Sequence, residues 1–115
     1  NYSENFDVND YLNGDTRASY ATLTWDGGAW RPELHFVEYD LQDVVVSFRE
    51  TGFLEATRPL SRGFLESILT GENTGLDFIL HAFRNAEEAG YRNIDAVPDE
   101  IWLEAESSFP WKFNL

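Results

Sequence analysis

The sequence predicts an α+β fold in which an antiparallel β-hairpin is followed by four helices. Two runs rich in β-branched and aromatic residues, at about 18–25 and 33–39, are joined by a short segment that contains Gly27 and Gly28; this pattern is typical of a hairpin. After residue 40, apolar residues recur with the spacing of amphipathic helices. Because a lone hairpin is marginally stable in water, we expect this one to pack against a larger sheet or against the helices.

Both faces of the predicted hairpin carry apolar side chains. Leu23 and Trp25 share one face of the first strand and Tyr20 lies on the other, since successive side chains alternate. The same alternation separates Phe36 from Val37 in the second strand. We therefore expect the hairpin to be covered on both sides or to lie at the edge of a sheet.

Capping residues mark the ends of the predicted helices. Asp40 is a suitable N-cap for the first helix, and Gly52 supplies a left-handed stop with Phe53 placed for a hydrophobic contact beyond it. The other three helices are expected from Ser61 to Gly71, from about Gly75 to Ala89, and from Pro98 onward. The third helix is predicted to bury one stripe, formed by Leu76, Ile79, Leu80, Phe83 and Ala86.

An aromatic tail follows the last helix. It contains Phe109, Trp111 and Phe113, and such a cluster must dock on something. We expect it to pack on its own domain, on a missing part of the protein, or on a second copy in a homo-oligomer. The chain thus divides into an acidic loop at 1–16, a hairpin with packing helices at 17–71, and a helical extension at 72–115.

Charge and composition exclude several classes of protein. The net charge is −13, from 21 acidic and 8 basic residues, so the basic stripe needed for nucleic acid is missing and anionic membrane surfaces are disfavoured. No apolar run reaches the roughly 18 residues of a membrane-spanning helix. Cysteine is absent, which excludes disulfides and thiolate zinc sites and fits a cytoplasmic location. Methionine is absent too, so we expect a piece of a longer protein.

The acidic loop invites a calcium interpretation that its spacing does not support. An EF-hand register starting at Asn9 puts Gly14 at the turn position, but Tyr11 and Tyr20 then stand where oxygen ligands are needed. A solvated acidic loop is the better prediction.

The two histidines are expected to be structural. His35 lies within the second strand, and His81 follows Asp77 by one helical turn as a candidate ion pair. Neither belongs to a recognised metal-ligand spacing. We therefore predict no catalytic residue and no metal ligand within this segment.

Arg17 is the candidate substrate-binding residue. Its guanidinium fork suits a phosphate or a carboxylate. The alternative is an ion pair with the nearby Asp15, which would tie down the turn before the first strand.

Two motifs in the hairpin resemble the C-terminal part of calcineurin-like metallophosphoesterases, most of all the small bacterial and archaeal phosphodiesterases. They are Asn13-Gly14-Asp15-Thr16-Arg17-Ala18-Ser19-Tyr20-Ala21 and Leu34-His35-Phe36-Val37-Glu38-Tyr39-Asp40. Thr16 stands where that family usually has proline. The resemblance covers roughly residues 13–71.

The resemblance implies a four-layer αββα sandwich of which this chain is the closing piece. It also implies two divalent metal ions, manganese or similar, which polarise a phosphoryl oxygen and supply hydroxide. The family's ligand motifs, such as Asp-x-His and Gly-His-x-His, are expected upstream of Asn1. The missing N-terminal part of the same protein is then the main partner.

Two functional hypotheses follow. The first is the C-terminal segment of a metal-dependent phosphoesterase that hydrolyses phosphodiesters. This segment alone is not expected to catalyse that reaction. The second is a non-enzymatic, acidic α+β domain whose helical half and aromatic tail bind a basic protein partner.

Overall fold

A computed structural model describes residues 14–115 and confirms the α+β class. Strand β1 spans Ala18–Trp25 and strand β2 spans Trp30–Val37. Within the described residues five α-helices follow: α1 Leu41–Glu50, α2 Phe53–Thr57, α3 Leu60–Thr70, α4 Thr74–Glu88 and α5 Asp99–Ser108, with a 3-10 turn at Ile94–Ala96. Most of the predicted acidic loop, and with it the calcium alternative, lies outside the described residues.

The hairpin is antiparallel, and its second strand begins at Trp30 rather than near residue 33. The turn explains the earlier start. The Asp26 carboxylate accepts hydrogen bonds from the backbone N–H groups of Gly28, at 3.0 Å, and Ala29, at 2.9 Å. The chain therefore reverses tightly, and the Trp25 and Trp30 rings meet with centroids 5.4 Å apart.

The predicted caps of the first helix are confirmed. The Asp40 side chain accepts a hydrogen bond from the Gln42 N–H at 2.9 Å, and Gly52 has a left-handed φ of 75°. Phe53 meets Phe48 edge to face, with centroids 5.3 Å apart. Phe53 is also the first residue of α2. This five-residue helix was not predicted, because it is too short to show an apolar stripe in the sequence.

Ser61 is not the N-cap of the next helix, and that prediction is wrong. Helix α3 begins one residue earlier, after Pro59. The Ser61 side chain is buried and its hydroxyl donates to the Leu54 carbonyl at 3.0 Å. A residue type that suits a cap therefore joins α3 to α2 instead.

Helix α4 turns to the core a face that shares Ala86 with the predicted stripe but also includes Phe78 and Ala82, which the prediction left out. Its buried residues include Phe78, Ala82 and Ala86, whereas Leu76 and Leu80 are 46% and 44% exposed. The cause is a close crossing of two helices, since a Cβ added to Gly63 of α3 would lie 3.2 Å from the Gly75 Cα of α4. That crossing places the small residues of α4 in the interface and leaves the two leucines outside.

The interior consists of two hydrophobic clusters, both among the helices. The first contains Val45, Leu54 and Leu65, against which Val44, Phe48, Leu69 and Leu115 pack. The second contains Phe78, Ala82 and Ala105, against which Trp102, Phe109 and Trp111 pack. The C-terminal tail contributes to both clusters, so it ties the two halves of the helical region together.

The aromatic tail docks largely on its own domain. The rings of Phe109 and Trp111 lie 5.5 Å and 5.1 Å from the Phe78 ring, and the Trp111 indole N–H donates to the Glu106 carbonyl at 2.7 Å. Phe113 stays exposed. Association of two copies through this tail stays a prediction.

The molecule is elongated for its size. Its radius of gyration is 18.0 Å and its extents are 56 × 34 × 21 Å, whereas a compact domain of this length would have a radius of about 13 Å. Apart from the half-buried Ser19 and His35, the residues of both strands are exposed. The hairpin is thus an arm on the helical body.

Candidate functional site

The turn before β1 is built around a bidentate ion pair. Arg17 donates from Nη2 to Asp15 Oδ2 at 2.8 Å and from Nε to Asp15 Oδ1 at 3.0 Å, and its backbone N–H also reaches Oδ1 at 3.0 Å. These bonds lower the pKa of Asp15 to about 2. The guanidinium also lies 4.4 Å from the centre of the Phe36 ring. Arg17 therefore has the predicted pairing with Asp15, and binding of substrate by its side chain stays a prediction.

This turn is fastened to the end of α3. The Gly14 N–H donates to the Gly71 carbonyl at 3.0 Å. Gly71 has a φ of 67°, and a Cβ added there would lie 2.6 Å from the Asp15 carbonyl oxygen. Only glycine fits such an approach of backbone to backbone, so Gly71 fixes where the arm leaves the helical body.

One face of the arm is mixed in polarity. His35 Nε2 lies 3.0 Å from Thr22 Oγ1, and the imidazole stacks on the Tyr20 ring with centroids 4.7 Å apart. At the turn, Arg31 Nε donates to Asp26 Oδ2 at 2.5 Å, and with the backbone bonds of the turn this lowers the pKa of Asp26. His35 is thus held by contacts across the two strands, and its structural role stays a prediction.

The other face of the arm is apolar. The register and the alternation of strand side chains put eight residues on it, of which Ser19 is polar and seven are apolar: Ala21, Leu23, Trp25, Trp30, Pro32, Leu34 and Phe36. Leu23 and Trp30 are each 62% exposed, and Trp25, Leu34 and Phe36 are also largely exposed. Large exposed apolar patches are typical of interaction surfaces. We call it the apolar face of the arm.

The helical region carries an ion cluster that sequence analysis missed. Glu106 of α5 accepts hydrogen bonds from Arg58 Nε at 3.0 Å and from Arg62 Nη1 at 3.5 Å. Arg62 also lies 4.4 Å from the centre of the Trp111 ring and donates to the Phe113 carbonyl at 3.2 Å. The cluster neutralises the carboxylate and holds α5 and the tail against α3, which is a structural role.

The Glu66 side chain holds the C-terminal tail through hydrogen bonds to its backbone. It is 0% exposed, and its Oε1 accepts the backbone N–H groups of Lys112 and Phe113, at 2.5 Å and 2.8 Å. The Lys112 ammonium bonds the Glu72 carboxylate, which raises the pKa of Lys112. Because these partners lie more than 35 residues apart in sequence, no local pattern could have revealed them.

The grouping of possible metal-ligating side chains can be checked in the described part of the chain. Within residues 14–115, no group of three or more His, Asp and Glu side chains is placed to hold a metal ion. In the same part of the chain, none of the helices is both long and apolar enough to cross a membrane.

Comparisons of this chain with family models, with curated proteins and with solved structures find no match.

Proposed function

We propose that this chain is the C-terminal portion of a calcineurin-like metallophosphoesterase, in which the arm completes a β-sandwich. The parent protein hydrolyses a phosphodiester by metal-activated water, in the cytoplasm. Its two divalent ions, manganese or similar, are held by the ligand motifs that the resemblance places upstream of this chain. The remainder of the parent is the partner of this segment.

The exposed apolar face of the arm is the observation that carries the proposal. A two-stranded hairpin is marginal in water by itself, and here Leu23, Trp25, Trp30, Leu34 and Phe36 stand largely in solvent. An interior sheet of a sandwich needs such a face, since the two inner faces interdigitate to form the core.

The position of the family-like residues supports the same proposal. Gly14, Asp15 and Arg17 form the anchored turn at the base of the arm, and Val37 to Asp40 lead out of β2 into the cap of α1. Part of each motif therefore lies at a joint that orients the arm, and the rest lies in β1 or β2. Such a role agrees with a segment that supports a catalytic centre without contributing to it.

The alternative of a non-enzymatic interaction domain predicted that the helical half and the tail form the interface. In the structure Phe109 and Trp111 pack within the chain, whereas Leu23, Trp25 and Trp30 of the arm are more than half exposed. This distribution favours the phosphoesterase proposal, although a basic partner for the acidic helices stays a prediction.

The test is a comparison of the 115-residue chain with the longest protein that its gene encodes. Both are assayed on bis(p-nitrophenyl) phosphate with added manganese and after chelation. We expect manganese-dependent turnover from the longer protein and none from residues 1–115. A matched variant of the longer protein, with the aspartate of an upstream Asp-x-His motif changed to asparagine, should lose that turnover while it keeps its fold.

Two results would overturn the proposal. One is turnover by the 115-residue chain alone, which would place the catalytic groups inside it. The other is a longer protein that lacks the upstream motifs and is inactive with manganese, which would favour the interaction-domain alternative.

A further inference from the structure

The backbone groups of the arm that face outward can be identified from the turn. The Asp26 N–H donates to the Ala29 carbonyl at 3.2 Å, so these two residues form a hydrogen-bonded pair. In an antiparallel ladder, hydrogen-bonded and non-hydrogen-bonded pairs alternate. Counting down the register, the pairs of Trp25 with Trp30, Leu23 with Pro32 and Ala21 with Leu34 are non-hydrogen-bonded. These residues direct their backbone N–H and C=O groups away from the partner strand.

Pro32 distinguishes the two outer edges. Proline has no N–H and is found in sheets essentially on edge strands, with that position facing outward. Pro32 occupies an outward-facing position of β2, between Trp30 and Leu34. A further strand laid along β2 would miss a donor there. The edge of β1 offers the outward groups of Ala21, Leu23 and Trp25 without such a gap.

The charges in the two strands make the same distinction independently. β1, Ala18–Trp25, contains no charged residue, no proline and no glycine. β2 contains Arg31 and Glu33 beside Pro32. Native proteins protect sheet edges with charged residues and proline, whereas interior strands read as uncharged and β-prone.

We infer that β1 is an interior strand that accepts another β-strand along Ala21, Leu23 and Trp25, while β2 is the border of the completed sheet. The inference rests on the proposed function, because the incoming strand is assigned to the upstream part of the same polypeptide. It adds which edge of the arm is used and which is closed.

The charge of the chain argues against a second copy as the occupant. Each copy carries a net charge of −13, so edge-to-edge pairing would bring two strongly negative molecules together. A strand of the same polypeptide is held at high effective concentration and needs no association step. Its side chains continue the apolar face of the arm, and its backbone pairs with the outward groups of β1.

Amide hydrogen exchange on the longer protein tests the edge assignment without reference to activity. We expect the amides of Ala21, Leu23 and Trp25 to exchange at least ~100-fold more slowly than those of Leu34 and Phe36, since only the former gain a partner. Slow exchange at Leu34 and Phe36 with fast exchange on β1 would overturn the inference. Protection of β1 that depends on protein concentration, together with a doubled native mass, would overturn the assignment of the occupant.

A pair of proline variants tests the same point by mutation. Leu23→Pro and Leu34→Pro each remove one outward N–H from an exposed leucine and leave the bonds within the hairpin intact; Leu23→Ala and Leu34→Ala correct for the lost side chains. We expect Leu23→Pro to lower the melting temperature of the longer protein by about 5 °C more than Leu34→Pro does, after that correction. An equal or reversed difference would refute the assignment.

The two proposals fail in different ways. A longer protein without manganese-dependent turnover, but with β1 protected, would remove the phosphoesterase function and leave the edge assignment standing. Manganese-dependent turnover in a protein whose β1 amides exchange freely would leave the phosphoesterase function standing and remove the edge assignment.

Discussion

The joint between the arm and the helical body can be tested at Gly71. Its φ of 67° is left-handed, and an alanine Cβ there would lie 2.6 Å from the carbonyl oxygen and 2.7 Å from the backbone nitrogen of Asp15. Contacts this short cannot be kept, so Gly71→Ala must either distort the end of α3 or push the Asp15 turn away. The second route breaks the bond from Gly14 to Gly71.

Gly52 provides a matched control, because its φ of 75° is also left-handed but a Cβ there would meet nothing within 4 Å. Alanine in a left-handed conformation costs about 1–2 kcal/mol at either position. Overpacking at Gly71 adds about 1–3 kcal/mol, or the lost hydrogen bond about 1 kcal/mol if the turn detaches. We therefore expect Gly71→Ala to destabilise the chain by at least ~1 kcal/mol more than Gly52→Ala does.

Urea unfolding followed by circular dichroism measures the loss of stability in both variants. Amide exchange at Gly14 reports whether its hydrogen bond to Gly71 is kept. Faster exchange at Gly14 should accompany Gly71→Ala and leave Gly52→Ala unaffected. Equal losses of stability, with the Gly14 amide as protected as in the unmodified chain, would show that the arm is not fastened at Gly71.

Two further predictions concern buried and bridged carboxylates. An NMR titration should give Asp15 a pKa of about 2, returning toward 3.8 in Arg17→Ala, because the guanidinium bonds lower it. The pKa of Asp15 is lower in the folded chain than in the unfolded chain, so the ion pair stabilises the fold above about pH 4, and this stabilisation is lost as the pH falls toward 2. Asp15→Asn should remove that loss from the pH dependence of unfolding. Glu66→Ala deprives the Lys112 and Phe113 amides of their acceptor and should lower the free energy of unfolding in urea by about 2 kcal/mol or more. Glu66→Gln keeps an acceptor oxygen there and should lower it by less. Equal losses in the two variants would contradict the role of Glu66 in holding the tail.

The features that sequence predicted correctly are those set by neighbours in the chain. Asp40 caps the helix that begins one residue later, and Gly52 and Gly71 end helices because only glycine adopts their backbone conformation without strain. The hairpin likewise follows from a short glycine turn between two alternating runs. Local physics decides each of these, so a window of a few residues contains the information.

The features that sequence missed depend on distant partners. Ser61 has the side chain of a cap but bonds a carbonyl seven residues back, and Phe78 is fully buried because a glycine crossing, not periodicity, sets the face of α4. The same holds for the candidate site. The ion pair of Arg17 was found because Asp15 is two residues away. The residues that share the apolar face of the arm follow only from the register, which pairs Ala21 with Leu34.

The exposed area of that face sets how much stability its covering would contribute. Fully burying a Leu, Val or Phe side chain is worth about 1.5–3 kcal/mol relative to exposure. The five large side chains of the apolar face are roughly half exposed, so covering them would contribute on the order of 5 kcal/mol. That is comparable with the entire net stability of a typical domain, about 5–15 kcal/mol. Phe78 and Leu65 are completely buried among the helices, so the five exposed groups of the arm are the side chains from which covering by a further apolar surface would gain most.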